Sequence, residues 1–173
     1  MNRGPLIIFG MLGVALLMPL VSAAQDVTAP ALKAAFIYNF AKFTEWPAGL
    51  PVSDPFVICV IGDAAVGDSL ERVVEGRELA GRRMVVAFPA MSKPTRACHI
   101  LYVSGATDEA ARAIAGLQDS PVLTISDVAG FTEAGGMAQF LFDRGRLRFT
   151  IQASSVRRSG LKMSSKLLIL GQR

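Results

Sequence analysis

Short apolar runs alternate with helical segments along the first two-thirds of the chain. The runs at 56–61, 83–88, 100–103 and 121–125 predict strands covered on both faces, because such strands read as nearly continuous apolar segments. Between them, 64–74 and 107–117 predict helices, the first with Asp63 as its N-cap and the second with Asp108 and Glu109 in its first turn. We therefore expect an α/β fold with a three-layer, mostly parallel sheet flanked by helices.

The last third of the chain has a different pattern. Apolar runs at 137–142 and 147–151 flank the turn-forming sequence Asp143-Arg144-Gly145-Arg146, which predicts a C-terminal antiparallel hairpin. Short helices are predicted at 154–158 and 165–170. Because no internal repeat or second domain is evident, we expect residues 25–173 to form a single α/β domain.

The first helix of that domain is predicted from its ends and from its apolar positions. Thr28 is suited to the N-cap, with Pro30 in the first turn, and Trp46-Pro47 predicts an end near Thr44. Four apolar residues spaced by four, four and three predict the face that packs on the core: Leu32, Phe36, Phe40 and Phe43.

Two polar or aromatic residues on this segment are candidate contact residues. Asn39 falls near the middle of the predicted apolar face, so we expect it to be buried and hydrogen-bonded, either to a nearby loop backbone or in a ligand or partner pocket. Trp46 is the only Trp, and its half-buried indole is either a lid over the helix end or an anchor at an interface.

The first 24 residues have the three-part build of a secretory signal peptide. Arg3 supplies the positive start, an apolar run follows from Leu6 to Val21, and Ser22-Ala23-Ala24 supplies small residues for cleavage. The alternative is an uncleaved anchor, but the apolar run is shorter than the roughly 20 residues that span a bilayer. We expect export to the periplasm with the leader removed.

Composition excludes several classes of protein and of site. The chain of 173 residues is 51% hydrophobic, which is too apolar for a disordered protein. One His and two Cys are too few for a zinc site built from four His or Cys ligands. The net charge of +4 is modest and does not indicate nucleic acid as a partner. We expect no metal and no cofactor.

Catalytic motifs are also lacking in the sequence. A Ser-His-Asp triad would need the lone His99, which lies beside an apolar strand, and no Gly-x-Ser-x-Gly motif is present. The segment 62–68 resembles a phosphate loop only superficially, because it lacks the Gly-Lys-Ser/Thr ending. Asp63 alone does not make the acidic cluster of a phospho-acceptor. We expect a protein that is not an enzyme.

Cys59 lies within the first predicted strand and Cys98 just before the third. If those strands are neighbours, about 4.8 Å apart, the cysteines can form a disulfide, which persists in the periplasm. The alternative is two reduced thiols that fill the core.

Basic residues gather in the last thirty positions. Arg144, Arg146 and Arg148 surround the hairpin, and a second group follows it: Arg157, Arg158, Lys162 and Lys166. Such a run is either a solvated face or a surface that docks an acidic partner or anionic cell-wall or headgroup material.

Two stretches resemble the YfiR family of small periplasmic proteins. The first is 31–47, ALKAAFIYNFAKFTEWP, and the second is 126–168, which contains SD, GF, GGM and GLKMSSKLL. The resemblance covers essentially the whole chain after the leader. Relatives carry a cysteine pair at positions similar to Cys59 and Cys98.

The resemblance implies a regulator of biofilm formation and motility. Family members bind the periplasmic sensor region of an inner-membrane diguanylate cyclase and inhibit it, which lowers cyclic-di-GMP. The resemblance also implies sequestration by an OmpA-like outer-membrane lipoprotein and a homodimer. The alternative function is a periplasmic domain that senses a small molecule or a cell-wall fragment and signals to a different membrane partner.

Overall fold

The structure is a computed structural model, and it describes residues 28–47, 55–90, 97–144 and 146–171. The predicted signal peptide, 1–24, lies outside the described residues, as does most of the proline-rich segment 51–55.

The helices and strands follow the predicted alternation. The helices are α1 (Ala29–Lys42), α2 (Ala64–Val74), α3 (Thr107–Ile114), α4 (Ala153–Arg158) and α5 (Ser165–Leu170). The strands are β1 (Thr44–Glu45), β2 (Phe56–Ile61), β3 (Glu78–Leu79), β4 (Arg82–Ala87), β5 (Ile100–Val103), β6 (Leu123–Ser126), β7 (Ala138–Asp143), β8 (Arg146–Ile151) and β9 (Lys162–Met163).

One sheet of seven strands organises the fold. Its order is β3-β4-β2-β5-β6-β7-β8, with parallel pairing from β4 through to β7 and antiparallel pairing of β3 with β4 and of β7 with β8. The β7–β8 pair is the predicted hairpin. This arrangement confirms the α/β fold class with a mostly parallel sheet and a C-terminal antiparallel hairpin.

Alternate strand residues pack on opposite faces of this sheet. One face carries Ile58, Ile100 and Tyr102 against α1 and α2, together with apolar residues from α4 and α5. The other face carries Cys59, Leu101 and other residues that pack with Ile114 of α3. Helices therefore cover both faces, which explains why the central strands β2, β5 and β6 are almost continuously apolar.

The face of α1 that packs on the core differs from the predicted one. Its buried residues are Lys33, Ala34, Ile37, Phe40 and Ala41. Of the predicted stripe only Phe40 is buried, while Phe43 is 42% exposed. The prediction was wrong because apolar residues surround α1 on nearly all sides, so their spacing does not select one face.

Asn39 is consequently exposed, and the expectation that it is buried was wrong. At about 100° per residue it points well away from Ile37 and Phe40, the centre of the buried face. Its backbone carbonyl accepts a hydrogen bond from the Phe43 N–H at the end of α1.

Three very short strands were not predicted. β1 pairs with β9 in a separate two-stranded sheet, where the Ser164 N–H also donates to the Phe43 carbonyl. β3 forms a tight antiparallel pair with the start of β4. The β1–β9 pair ties the chain after α1 to the C-terminal segment before α5.

Candidate functional site

Three polar residues meet where the parallel strands end. Asp63 follows β2, Ser104 follows β5 and Asp127 follows β6, and these strands are adjacent in the sheet. Loops at the carboxyl ends of parallel strands are where α/β proteins build their ligand sites. We call Lys33, Asp63, Tyr102, Ser104 and Asp127 the carboxyl-edge cluster.

Lys33 extends from α1 into the middle of this cluster. Its ammonium nitrogen lies 2.5 Å from Asp127 Oδ2 and 3.3 Å from Asp63 Oδ2. The side chain of Lys33 is only 11% exposed, and the nitrogen also lies 5.9 Å from the centre of the Tyr102 ring. A buried ammonium needs such partners, because an unpaired charge is costly away from water.

Asp127 and Tyr102 titrate abnormally in this setting. Burial opposes ionisation of Asp127, but hydrogen bonds from Lys33 and Ser104 outweigh it, so the pKa of Asp127 lies below its usual value of 3.8. Burial, followed by the charges of Asp127 and Asp63, raises the pKa of Tyr102 above its usual value. Both groups therefore keep their ordinary charge states at neutral pH.

The Tyr102 hydroxyl is the one group of the cluster without a clear partner. The side chain is completely buried, and the hydroxyl lies beside Asp127 and Ser104 without a well-formed hydrogen bond to any described residue. Buried hydroxyls usually have a partner, so this oxygen can accept or donate one more bond.

Local backbone geometry places the Asp63 carboxylate. Gly62 has a φ of +84°, and a Cβ at this position would lie 1.9 Å from the Ser104 carbonyl oxygen. Asp63 then caps α2 by accepting a hydrogen bond from the Val66 N–H at 3.1 Å. One carboxylate oxygen thus serves the helix cap, which leaves the other for Lys33.

The arrangement joins α1 to two loops of the sheet through ion pairs. The ammonium of Lys33 already lies between the two carboxylates, and the described residues contain no group of three or more His, Cys, Asp or Glu suited to hold a metal ion. Sequence reasoning missed this cluster, since it weighed Asp63 alone. The available signal was that Asp63 and Asp127 each follow a buried strand and therefore share one edge of the sheet.

Cys59 and Cys98 form a disulfide on the face of the sheet under α3. Their Cα atoms are 5.8 Å apart, and both residues are buried. β2 and β5 are paired neighbours, which is the condition on which the expected bridge depended. The covalent link therefore lies on the face opposite to Lys33.

Trp46 belongs to an aromatic group at the amino ends of the strands. Its ring packs edge-to-face on Phe56 at 5.0 Å, and Phe56 stacks on His99 at 4.5 Å. The Trp46 indole is half-buried, as expected, and its N–H has no partner among the described residues. Through these contacts Trp46 packs against the edge of the hydrophobic core. Its role as an interface anchor remains a prediction.

His99 in this group is packed, and its ring nitrogens are both occupied. Nδ1 accepts a hydrogen bond from the Val57 N–H at 3.0 Å, and an Arg82 guanidinium nitrogen lies 3.1 Å from Nε2. Burial, with the added charge of Arg82, lowers the pKa of His99 below its usual 6.5. His99 is therefore neutral at physiological pH.

The basic residues predicted as one run lie at two ends of the sheet. The hairpin arginines are at the carboxyl edge, because β7 runs parallel to β6 and β8 returns. After β8 the chain continues to the amino edge, where Lys162 pairs with Glu45 and Arg158 lies 3.8 Å from Asp119, which precedes β6. Arg157, Arg158, Lys162 and Lys166 are all exposed.

Comparison with solved structures finds a similar fold in a conserved domain protein from Vibrio cholerae. The TM-score is 0.53 with 12% sequence identity, over 84% of this chain and 60% of the other. The chain thus spans about 60% of the length of that protein. The search of curated proteins found no match.

No helix in the described ranges has the length and apolar character required to cross a bilayer.

The decisive comparison is with family models. The YfiR/HmsC-like model matches residues 30–172, from the first turn of α1 to beyond α5. Because this match extends through every described helix and strand, the chain belongs to the YfiR/HmsC-like family.

Proposed function

We propose that this protein binds the periplasmic sensor region of an inner-membrane diguanylate cyclase and inhibits the enzyme. The match to the YfiR/HmsC-like family across residues 30–172 carries the proposal. Family membership supports a periplasmic regulator of cyclic-di-GMP signalling that interacts with a membrane signalling protein. That the membrane partner is a diguanylate cyclase, and that binding inhibits it, is the part that we propose beyond family membership.

Inhibition follows from differential binding. A protein that prefers the inactive arrangement of the sensor region shifts the cyclase toward it, and about 5.5 kcal/mol of preference moves the balance from 1:99 to 99:1. A standard interface supplies that preference. Sequestration by an OmpA-like lipoprotein would then release the cyclase, and self-association into a homodimer is part of the same proposal.

The exposed basic group at the amino edge is the contact surface that we favour. Arg157 and Lys162 make no ion pair with a described residue, so they are available to acidic groups on a partner. Asn39 and Trp46 lie on or just after α1 and extend this surface as proposed contacts. Contacts of this kind speed association and weaken as salt rises.

The test is genetic and biochemical. Deletion of the gene should raise cyclic-di-GMP, and the wild-type gene should restore the low level. The Arg157→Glu/Lys162→Glu variant should fail to restore it and bind solubilised partner at least tenfold more weakly. The matched control is Arg146→Glu/Arg148→Glu, which reverses two exposed arginines at the opposite edge. Unchanged cyclic-di-GMP on deletion would contradict the proposal.

Export is the remaining part of this proposal. Residues 1–24 are a cleaved leader, and 25–173 are the working domain. Mass spectrometry of the periplasmic fraction should find a chain that begins at Ala24 or Gln25. A chain that keeps Met1 would contradict it.

A second candidate is a small-molecule sensor at the carboxyl-edge cluster. The buried Tyr102 hydroxyl, beside Asp127 and without a described hydrogen-bond partner, favours it. Calorimetry with amino acids and peptidoglycan fragments tests this function, and Tyr102→Phe should abolish any heat observed. A panel that gives no heat would count against it.

A further inference from the structure

The outer side of β4 is an open sheet edge. β3 pairs only with Arg82 and Arg83 of this strand. Next to that pair, the Met84 N–H donates to the Arg77 carbonyl. Beyond Met84, no described residue pairs with the outer side of β4. An unpaired strand edge presents backbone donors and acceptors to any extended segment that reaches it.

The Met84 hydrogen bond fixes which backbone groups point outward. Backbone N–H and C=O groups alternate between the two sides of a strand. Since Met84 donates outward to Arg77, Val86 also directs its N–H and C=O outward, while Val85 and Ala87 face β2. Val86 therefore offers one free donor and one free acceptor at the edge.

A groove of about 580 Å³ runs along this edge between β4 and α2. Met84 and Val86, on the face of the sheet that packs against α2, form its apolar floor, and α2 forms its wall. An added strand would thus gain apolar contact as well as backbone hydrogen bonds.

The wall of the groove is acidic, although the whole chain carries a net charge of +4. Asp68, Glu71 and Glu75 line it, are exposed, and form no ion pair with any described residue. The one cation in the lining, Arg72, donates to Ser69 Oγ at 3.0 Å. Three carboxylates therefore face the groove against one engaged guanidinium.

We propose that this groove binds an extended, basic segment of a partner protein, which pairs with β4 as an additional strand. Side chains on one face of a strand repeat every 6.8 Å or so. The row from Asp68 to Glu75 spans roughly 10 Å along α2. Two or three lysines or arginines at alternate positions match that row.

The charge and geometry favour a separate partner over a second copy of this chain. β8, at the other edge, carries Arg146 and Arg148, so two copies have complementary edges. Such a head-to-tail contact, however, leaves one β4 edge open in every assembly except a closed ring, so self-pairing covers this edge only in that special geometry. The inference concerns the groove alone and does not depend on whether the partner is a cyclase.

The test uses a fluorescent, acetylated heptapeptide of alternating lysine and valine. We expect saturable binding to the wild-type protein at low salt. Glu71→Lys/Glu75→Lys should weaken binding at least tenfold, whereas Glu45→Lys/Glu133→Lys, with the same change in charge at two exposed sites elsewhere, should change it less than twofold. A peptide with glutamate in place of lysine should not bind.

Amide exchange separates strand pairing from simple charge attraction. The peptide should slow exchange of the Val86 N–H at least tenfold and leave the N–H groups of Val85 and Ala87 unchanged. A peptide N-methylated at every residue keeps the charge but has no backbone donor for pairing, and it should bind at least tenfold more weakly. Equal binding of both peptides, no protection at Val86, or displacement of the peptide by self-association of the chain at high concentration would overturn the proposal.

Discussion

The ammonium nitrogen of Lys33 lies 2.5 Å from the Asp127 carboxylate, although 94 residues of chain separate the two. The contact joins the second turn of α1 to the loop that follows β6. Asp63, at the start of α2, is the second partner of the same nitrogen. One ammonium group thus connects three segments that meet at the carboxyl edge of the sheet.

Replacement of Lys33 by Met should therefore destabilise the fold. The change leaves two carboxylates, only 20% and 21% exposed, without their shared cation. Loss of one partner from a fully buried pair costs 3–5 kcal/mol, and the partial exposure here lowers our expectation to about 2 kcal/mol. Urea unfolding at pH 7 measures the loss.

A double-mutant cycle isolates the ion pair in that result. Lys33→Met/Asp127→Asn should recover about half of the lost stability, because the second change removes an unpaired charge. Additive losses in the double variant would mean that the two side chains contribute independently.

Acid should weaken the fold first through His99. Its pKa is lowered by burial and by Arg82, so the unfolded chain binds a proton near the usual 6.5 while the folded chain does not. The free energy of unfolding then falls as pH drops below 6.5, by up to about 1.4 kcal/mol per pH unit, until the folded pKa is reached. Denaturant titrations at pH 7.5, 6.5, 5.5 and 5 measure this slope.

The variant His99→Asn serves as the control for this slope. It keeps an acceptor near the Val57 N–H and removes the titrating group, so stability should be flatter between pH 7.5 and 5. An unchanged slope would show that other groups cause the loss.

Asp127 should contribute at lower pH. Because its pKa in the folded chain lies below 3.8, the stability that it provides is complete above that value and is lost as pH falls through the folded pKa. The difference in free energy of unfolding between the wild type and Asp127→Asn should therefore shrink as pH is lowered from 5 to 2.5. A gap that stays constant over this range would contradict the assignment.

Loss of the disulfide should lower stability without changing the fold. The bridge closes a loop with a sequence separation of 39, worth about 4 kcal/mol in the chain-entropy model and less where strain intervenes. Cys59→Ala/Cys98→Ala should lose 2–4 kcal/mol, measured by urea unfolding, while its far-UV circular dichroism stays the same. The wild type under a reducing agent is the matched comparison, and a loss below about 1 kcal/mol in both would contradict the estimate.

Gly62→Ala should be among the most damaging small substitutions. The φ of +84° disfavours any Cβ, and that Cβ would meet the Ser104 backbone, which cannot swing aside as a side chain can. We expect a loss of at least 2 kcal/mol. Gly76→Ala has a similar positive φ but open space around the Cβ, so it should cost less. Equal losses would mean that the close approach to Ser104 is unimportant.

Most of the sheet could be predicted from the sequence, because strands buried on both faces have continuous apolar runs such as 56–61 and 100–103. The turn-forming residues at 143–146 also predicted the hairpin of β7 and β8. The orientation of α1 could not be predicted, since a helix with apolar residues on most sides carries little angular information. That error placed Asn39 inside and gave no warning that Lys33 is buried.

The carboxyl-edge cluster could not be predicted from the sequence for a related reason. Its charges come from α1, from the loop after β2 and from the loop after β6, and only the packing of α1 across the sheet brings Lys33 to the two acids. The two-stranded β1–β9 sheet was equally hidden, because two-residue strands such as Thr44–Glu45 have no periodicity to detect.

The position of the two basic groups, at opposite ends of the strands, affects how the protein approaches a charged surface. Positive groups at both ends of the strands largely cancel along the strand direction, so a distant charged surface does little to turn one end of the strands toward itself. Which end faces that surface must then be decided at close range, within the Debye length of about 8 Å at physiological salt. A docking partner that recognises one basic group would therefore select it by direct contact, with little help from the long-range field along the strands.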